Sequence, residues 1–302
     1  MPNILIVGSS NTDMVVQTER FPLPGETLTG GEFFLFQGGK GANQAVASAR
    51  MGGTVHFLTK LGKDMFGQQT RKSLRDEGIS PDLILEEEGI ASGVALILVE
   101  DSGENQIVVV PGANGKLSPE DLTKAIPFLE TADLLLCQLE TPIPTVEALA
   151  QLARKFEKRL ILNPAPAQAL PESLYQNLFL ITPNETEASL LSGIALEKES
   201  SLSEIGDWFL SKGVQNIILT LGEKGAYFHN SSRQFLIPSQ KVKAIDTTGA
   251  GDVFNGTLVV ALAEGMDWEK AIQTANRAAA ISVTRMGAQP SIPFRSEVYG
   301  KQ

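Results

Sequence analysis

Between Asp246 and Gly256 the chain reads DTTGAGDVFNG, with two aspartates, two threonines and three glycines ahead of an apolar run that continues as a helix. Two chemistries fit this stretch. Asp is among the best helix N-cap residues, so Asp252 at the cap position, preceded by glycines that let the chain turn, is a sufficient structural reading. The functional reading is a turn whose backbone N–H groups face an anion while Asp252 takes a proton. A second stretch, FQGGKGANQAVASAR, has the same character. Gly38 and Gly39 permit close backbone approach, and Lys40, Asn43 and Gln44 gather polar groups at a helix start. Such a density of donors suits hydroxyls or an oxyanion. Read alone, it is also a glycine-rich turn with a solvated lysine.

Other chemistries lack their residues. Lys40 is followed by Gly41, which breaks the Walker pattern, and VGSSNTD holds one glycine where a dinucleotide fingerprint needs three. Protein-kinase HRD and DFG segments, HExxH and GxSxG do not occur. The two histidines, His56 in a strand pattern and His229 in a loop-like stretch, read as structural or solvated. Cys137, the single cysteine, precludes an internal disulfide and a CxxC site. Its setting, ADLLLCQLE, reads as a buried strand of a protein from a reducing compartment.

The elements that must position these residues follow from periodicity. A chain of 302 residues, 42% apolar and 20% charged, has the composition of an ordered globular protein. Strand patterns (NILIVG, VHFLTKLG, DLLLCQL, RLILNPA, LFLITPN, NIILTLG) alternate with helix patterns such as TVEALAQLARKF and LSEIGDWFLSKG. This predicts an α/β fold in three αβα layers, Rossmann-like, around a mostly parallel sheet. Each strand ends in small or polar residues, where open α/β sheets bind ligands. Two regions, about 12–37 and 91–112, alternate like exposed β-structure and predict a small projecting four-strand sheet, a lid, a dimer surface or both. The second reads as a hairpin turning at EDSGEN. No linker divides the chain, so one domain spanning 1–302 is expected. A net charge of -10 argues against nucleic acid or an anionic membrane as partner. The N-terminus lacks a signal-peptide pattern and no apolar run is long enough to span a membrane, which together predict a cytoplasmic protein.

Nine segments in order, GSSNTD, PGET, GGKGANQAVASAR, QLE, NPAPA, TPNETEA, LTLGEKGA, DTTGAGDVFNG and VTRMGAQPSIP, resemble the ribokinase (PfkB) family of carbohydrate kinases along essentially the whole chain. The resemblance implies ATP-dependent phosphorylation of a sugar, ribose at O5 by preference, with a deoxyribokinase, a fructokinase-like enzyme or a nucleoside kinase as alternatives. A non-catalytic sugar sensor on the same scaffold would have lost Asp252 or the GAGD glycines, and all are present. A dehydrogenase would need the missing fingerprint.

By similarity, Asn11, Asp13, Gly38, Gly39, Lys40, Asn43 and Glu140 hold the sugar. Asp252 serves as base, and the N–H groups of Gly249, Ala250, Gly251 and Asp252 form an anion hole for the γ-phosphoryl group. The nucleotide end is implied at Asn184, Thr220, Gly222, Glu223, Gly225, Gly251 and Asn276, with Asn184 and Glu187 helping to place Mg²⁺. Taken without the family, PNETEA reads as a helix start with an Asn cap and early acids, and LTLGEKG as a hairpin turn. A monovalent-cation site, K⁺ by similarity, is implied at Asp246, Thr248, Ser282, Arg285, Gly287 and Ser291, several through backbone carbonyls. The projecting sheet is expected to close over the sugar and to pair with its twin in a homodimer, its apolar face drawn from Val15, Phe33, Leu35, Leu96, Leu98, Val108 and Val110.

Overall fold

The unbroken apolar runs of the sequence become the middle of one large sheet. A computed structural model of the chain describes residues 1–100, 102, 104–196 and 200–300. Its strands begin with β1 (Asn3–Val7), β2 (Asn11–Thr18), β3 (Glu32–Gly38), β4 (Thr54–Gly62), β5 (Ile84–Glu87), β6 (Gly93–Glu100) and β7 (Asn105–Val110). They continue with β8 (Leu134–Cys137), β9 (Leu160–Leu162), β10 (Leu180–Ile181), β11 (Asn216–Thr220), β12 (Ala226–Asn230) and β13 (Gln234–Ile237). The main sheet has the order β13-β12-β11-β10-β9-β8-β1-β4-β5. It is parallel from β11 to β5, and β12 and β13 add an antiparallel edge. Strands covered on both faces need no polar alternation, which is why β1, β8 and β9 read as continuous Ile, Leu and Val.

The two-residue period of a strand assigns its side chains to separate cores. Ile4, Ile6, Leu134 and Leu136 face one layer, packed under the helices Lys40–Arg50, Ala250–Ala263 and Trp268–Ser282. Leu5, Val7, Leu135 and Cys137 face the other, under Ile143–Lys155 and Ser200–Ser211. The three-layer αβα fold predicted from the alternation is therefore present. Cys137 is fully buried on β8 as expected, and burial pushes its thiol pKa up.

The projecting sheet is also present, in the order β3-β2-β6-β7, with β2 and β6 parallel and both outer pairs antiparallel. Asp101 and Gly103 of the predicted hairpin turn lie outside the described residues. Register corrects one expected face residue. Phe33 and Leu35 pair with Val16 and Met14, which pair in turn with Leu98 and Leu96, and Leu96 pairs with Val108. Val15 sits one residue out of step, on the face of Asp13, Phe36 and Ala95. A one-residue step puts a side chain on the opposite face, so the outer apolar face contains Met14 and Val16 instead. His229 is a second correction. It lies in β12, buried, with Nε2 3.0 Å from Asp207 Oδ1 and its other nitrogen facing Tyr227 and Gln234. The partly polar pattern AYFHN concealed that strand, which lies between β11 and β13.

Candidate active site

Most helix starts flanking the main sheet that carry an Asp or Asn are closed by it: Asp64, Asn184 and Asp267 each accept from a backbone N–H of the first turn. The helices Lys40–Arg50 and Ala250–Ala263 both begin at a glycine of positive φ, Gly39 at 86° and Gly249 at 75°, and neither has a side-chain cap. The left-handed conformation is what requires glycine at these two places. An uncapped helix start leaves backbone donors for something else.

At the first helix the donors are taken within the protein. Lys40 N donates to Glu140 Oε2 at 3.0 Å, Ser9 Oγ donates to the same oxygen at 2.5 Å, and Ala42 N donates to Ser9 O at 2.8 Å. Ser9, which the sequence reading did not single out, thus fixes Glu140. At the second helix Ala250 N donates to Thr247 O at 3.2 Å, and Val253 N to Gly249 O. The amides of Gly249, Gly251 and Asp252 have no acceptor among the described residues. Of the four amides expected at an anion, that of Ala250 is thus engaged in closing the turn. A β-carbon at Gly251 would meet no heavy atom within 4 Å, so this turn borders open space.

Asp252 is not the cap, contrary to the expectation from its position after the glycines. It is the third helical residue, and Gly249 takes the cap position because the turn demands its φ. An acid at the third position often reaches back to the cap N–H. Asp252 turns sideways instead: Asn43 Nδ2 donates to its Oδ2 at 3.0 Å and Gln44 Nε2 to its Oδ1 at 2.9 Å. Helix contact makes this reach feasible. A β-carbon at Gly256 would stand 2.6 Å from both Ala47 Cβ and Gln44 O, so the glycine lets the two helices touch one turn beyond Asp252. Ser48 Oγ then donates to Gly256 O at 3.0 Å.

Several residues that the resemblance implies at the sugar lie near Asp252. Asp13 stands on β2 against Gly38, where any β-carbon would collide with its carboxylate. Asn11 is buried, and its Oδ1 accepts from Asn114 Nδ2 at 2.8 Å. Asn43 keeps its Oδ1 buried and without a partner among the described residues, an acceptor available to a ligand hydroxyl. The charges act on one another. Burial, then Glu140 and Asp252, raise the Asp13 pKa to about 7 against a partial offset from Lys40. Burial also raises Asp252, opposed by Lys40 and by the Asn43 and Gln44 hydrogen bonds. Burial alone would lower Lys40, but Asp252, Glu140, Glu187 and Asp13 outweigh it and the net shift is upward.

A cleft of about 880 Å³ opens from the same turn. Its wall includes Ala250 and Gly251, and it runs past Asn184, Thr220, Gly222, Glu223, Gly225 and Asn276, the residues expected at a nucleotide. Phe254, Ala279, Ala280 and Val283 supply an apolar flank. LTLGEKG is indeed a hairpin turn between β11 and β12, and it borders this cleft as well. Asn276 Nδ2 donates to Ile237 O at 3.0 Å and so anchors the rim. Glu187 does not line the cleft. It forms a reciprocal capping box with Asn184, Oε2 accepting from Asn184 N at 2.9 Å, and burial raises its pKa.

Of the residues expected at a monovalent cation, Asp246 joins two loops, accepting from Thr248 N at 2.9 Å and Gly287 N at 2.8 Å. Ser282 and Ser291 hydroxyls donate to Ala279 O and Ala288 O within their own turns. The Arg285 guanidinium is directed to Glu297 at 2.5 Å. Among the described residues no cluster of three or more His, Cys, Asp or Glu side chains could hold a metal.

Comparison with known proteins decides which carbohydrate or nucleotide chemistry this site belongs to. A family model described as pfkB family carbohydrate kinase matches residues 1–295. The chain belongs to the pfkB family of carbohydrate kinases. The ribokinase of Haemophilus influenzae is 43% identical over 294 residues, 97% of this chain and 96% of that protein. The structure of Arabidopsis thaliana ribokinase complexed with ribose and ATP superposes with a TM-score of 0.92 at 31% identity, covering 99% of this chain and 97% of that one. A deoxyribokinase of Salmonella typhi is 37% identical over 292 residues, 96% of this chain and 95% of that protein. The cleft reaches the turn at Ala250 and Gly251, next to Asp252 with its Asn43 and Gln44 partners. Among the described residues no helix is long and apolar enough to cross a membrane.

Proposed function

We propose that this kinase transfers the γ-phosphoryl group of ATP to O5 of D-ribose, giving ribose 5-phosphate and ADP. The observation that carries the reading is an uncapped helix start with open amides and a buried carboxylate three residues beyond its cap glycine, between a polar cluster and a cleft. The ribose hydroxyls are held by Asn11, Asp13, Lys40, Asn43 and Glu140, with the backbone of Gly38 and Gly39 close beneath. ATP lies in the cleft along Asn184, Thr220, Gly222, Glu223, Gly225 and Asn276. Its γ-phosphoryl group meets the amides of Gly249, Gly251 and Asp252 at the positive end of the helix.

Asp252 takes the O5 proton as the hydroxyl becomes acidic in the transition state. A carboxylate raised by burial is a better base than an ordinary one, and placement contributes more than basicity in phosphoryl transfer. Asn184 and Glu187 would hold Mg²⁺ through waters, and the ion would supply charge for the β- and γ-phosphates. The fit is that of a sparse oxygen site: one Glu187 carboxylate oxygen is committed to the capping box and the other accepts from no described residue. K⁺ would sit among Asp246, Thr248, Ser282, Arg285, Gly287 and Ser291, chiefly on carbonyls. Asp246 already ties the two loops there, so the ion would stiffen the turn that carries Asp252.

The projecting sheet serves as lid. Its inner face carries Asp13, and its outer face exposes Phe33, Leu35, Leu96, Val108 and Val110, a surface suited to a homodimer. The deoxyribokinase relative favours deoxyribose as the second substrate to examine. A coupled ATP-consumption assay over ribose, deoxyribose, fructose and nucleosides tests the assignment. Ribose should give the highest kcat/KM, with the product phosphorylated at C5 by ³¹P–¹H NMR. Turnover of another sugar or nucleoside at higher kcat/KM would replace ribose with that substrate.

A further inference from the structure

Behind the Asp252 carboxylate runs a closed circuit of buried polar side chains to which the mechanism above assigns no work. Gln44 Nε2 donates to Asp252 Oδ1 and to Asn163 Oδ1, both at 2.9 Å. Asn163 Nδ2 donates to Thr182 O at 3.2 Å, and Thr182 Oγ1 donates to Asn255 Oδ1 at 2.6 Å. Asn255 Nδ2 then donates to Gly251 O at 2.8 Å, one residue before Asp252. The circuit draws on a helix, the ends of two strands and a second helix, and all its side chains are nine-tenths or more buried.

Buried amides are costly unless bonded, and apolar side chains would pack these positions more cheaply. What the circuit secures is direction. Gln44 Oε1 accepts from Gln138 Nε2 at 2.5 Å, so both ends of the Gln44 amide are committed. Reversing that amide would set its oxygen against the Asp252 carboxylate. With Asn43 on Oδ2, each carboxylate oxygen then carries one N–H donor and keeps a free lone-pair direction.

We infer that Gln44 is a positioning residue for phosphoryl transfer: it fixes the rotation of the Asp252 carboxylate and, through Asn163, Thr182 and Asn255, ties that carboxylate to the Gly251 carbonyl. Base and phosphate-facing amides are thereby held in one geometry. This rests on the reading of Asp252 as base, and the two can fail separately.

The test compares Gln44→Met, Gln44→Glu and Thr182→Val with the parent enzyme. The measurements are kcat and kcat/KM against pH, ribose affinity by calorimetry, and KM for ATP. Gln44→Met removes a donor to a charged acceptor, so the acidic limb of kcat/KM should move up by about 1 to 2 pH units. Its kcat should fall by roughly 10- to 100-fold while KM for ATP stays within about twofold. Gln44→Glu, nearly isosteric, brings a like charge to the carboxylate and should move the limb further still. Thr182→Val opens the far side of the circuit without touching Asp252, so it should lower kcat and leave the limb in place.

Variants of Gln44 that lose kcat with an unmoved acidic limb would overturn the inference, as would parent-like rates in both. Parent-like kcat in Thr182→Val would overturn the link to Gly251. Should Gln44→Met fail to fold, Gln44→Glu and Thr182→Val decide the matter. An Asp252→Asn enzyme that retains turnover removes the underlying reading of the base, whatever the Gln44 variants do.

Discussion

Asp13 should cost the empty protein stability in return for sugar binding, and the cost can be worked from its surroundings. Its carboxylate stands against the Gly38 backbone beside Glu140 and Asp252, and burial with those two charges lifts its pKa from the ordinary 3.8 to about 7. Below pH 4 both folded and unfolded chains hold the proton and nothing is lost. Between pH 4 and 7 the folded chain keeps a proton that the unfolded chain releases, so stability falls as pH rises. Above 7 the penalty is complete and constant. Three pKa units at about 1.36 kcal/mol each give up to about 4 kcal/mol at pH 8 and about 1.5 kcal/mol at pH 5. Asp13→Asn removes the charge at nearly constant shape. Urea unfolding of the ligand-free proteins at pH 5 and pH 8 should therefore find the variant more stable, with the gap widening at the higher pH. The same variant should bind ribose roughly 10- to 100-fold more weakly, since hydrogen bonds to a charged acceptor contribute about 1.5–3 kcal/mol. Parent ribose binding should also weaken below pH 7, and that dependence should vanish in Asp13→Asn. A variant less stable at pH 8, or a gap that ignores pH, would refute the argument.

Three further outcomes follow from the same geometry. Gly251→Ala should fold with a thermal midpoint near the parent's, because its methyl group meets open space, yet lose most of its kcat because that space is where the phosphoryl group must enter; parent-like kcat would contradict the anion hole. Replacing K⁺ by Na⁺ should lower kcat strongly while ribose affinity changes little, and indifference to the cation in steady-state assays would remove the proposed site. Sedimentation should find a dimer at micromolar concentration that Val108→Glu converts to monomer, since Val108 lies on the exposed apolar face; a monomeric parent would leave that face without its twin.

The parts of this molecule that the sequence discloses are those whose physics is periodic or one-dimensional. Ile4 to Val7 and Leu134 to Cys137 read as strands because both sheet faces are covered, and they are buried as such. Gly39 and Gly249 stand out as glycines set among polar residues at helix starts, and neither of those helices has a side-chain cap. Less visible were features that depend on register and on contacts distant in the chain. Val15 alternates plausibly with either face until the β2–β3 pairing is fixed. Asp252 resembles a cap until the φ of Gly249 moves the helix start. Gln44 could be noticed as one more polar group near a helix start, but Asn163, Thr182 and Asn255 gain their meaning only from one another. The cation residues leave little side-chain trace, because carbonyls are common to every residue.

The most direct measurement is single-turnover phosphorylation of ribose by Asp252→Asn, alongside calorimetric ribose binding. Loss of a positioned general base is expected to slow the chemical step by about 10²- to 10⁴-fold, with ribose affinity close to the parent's. A variant that phosphorylates ribose at O5 within a few-fold of the parent rate would contradict the assignment of Asp252, and with it the mechanism built around the turn that carries it.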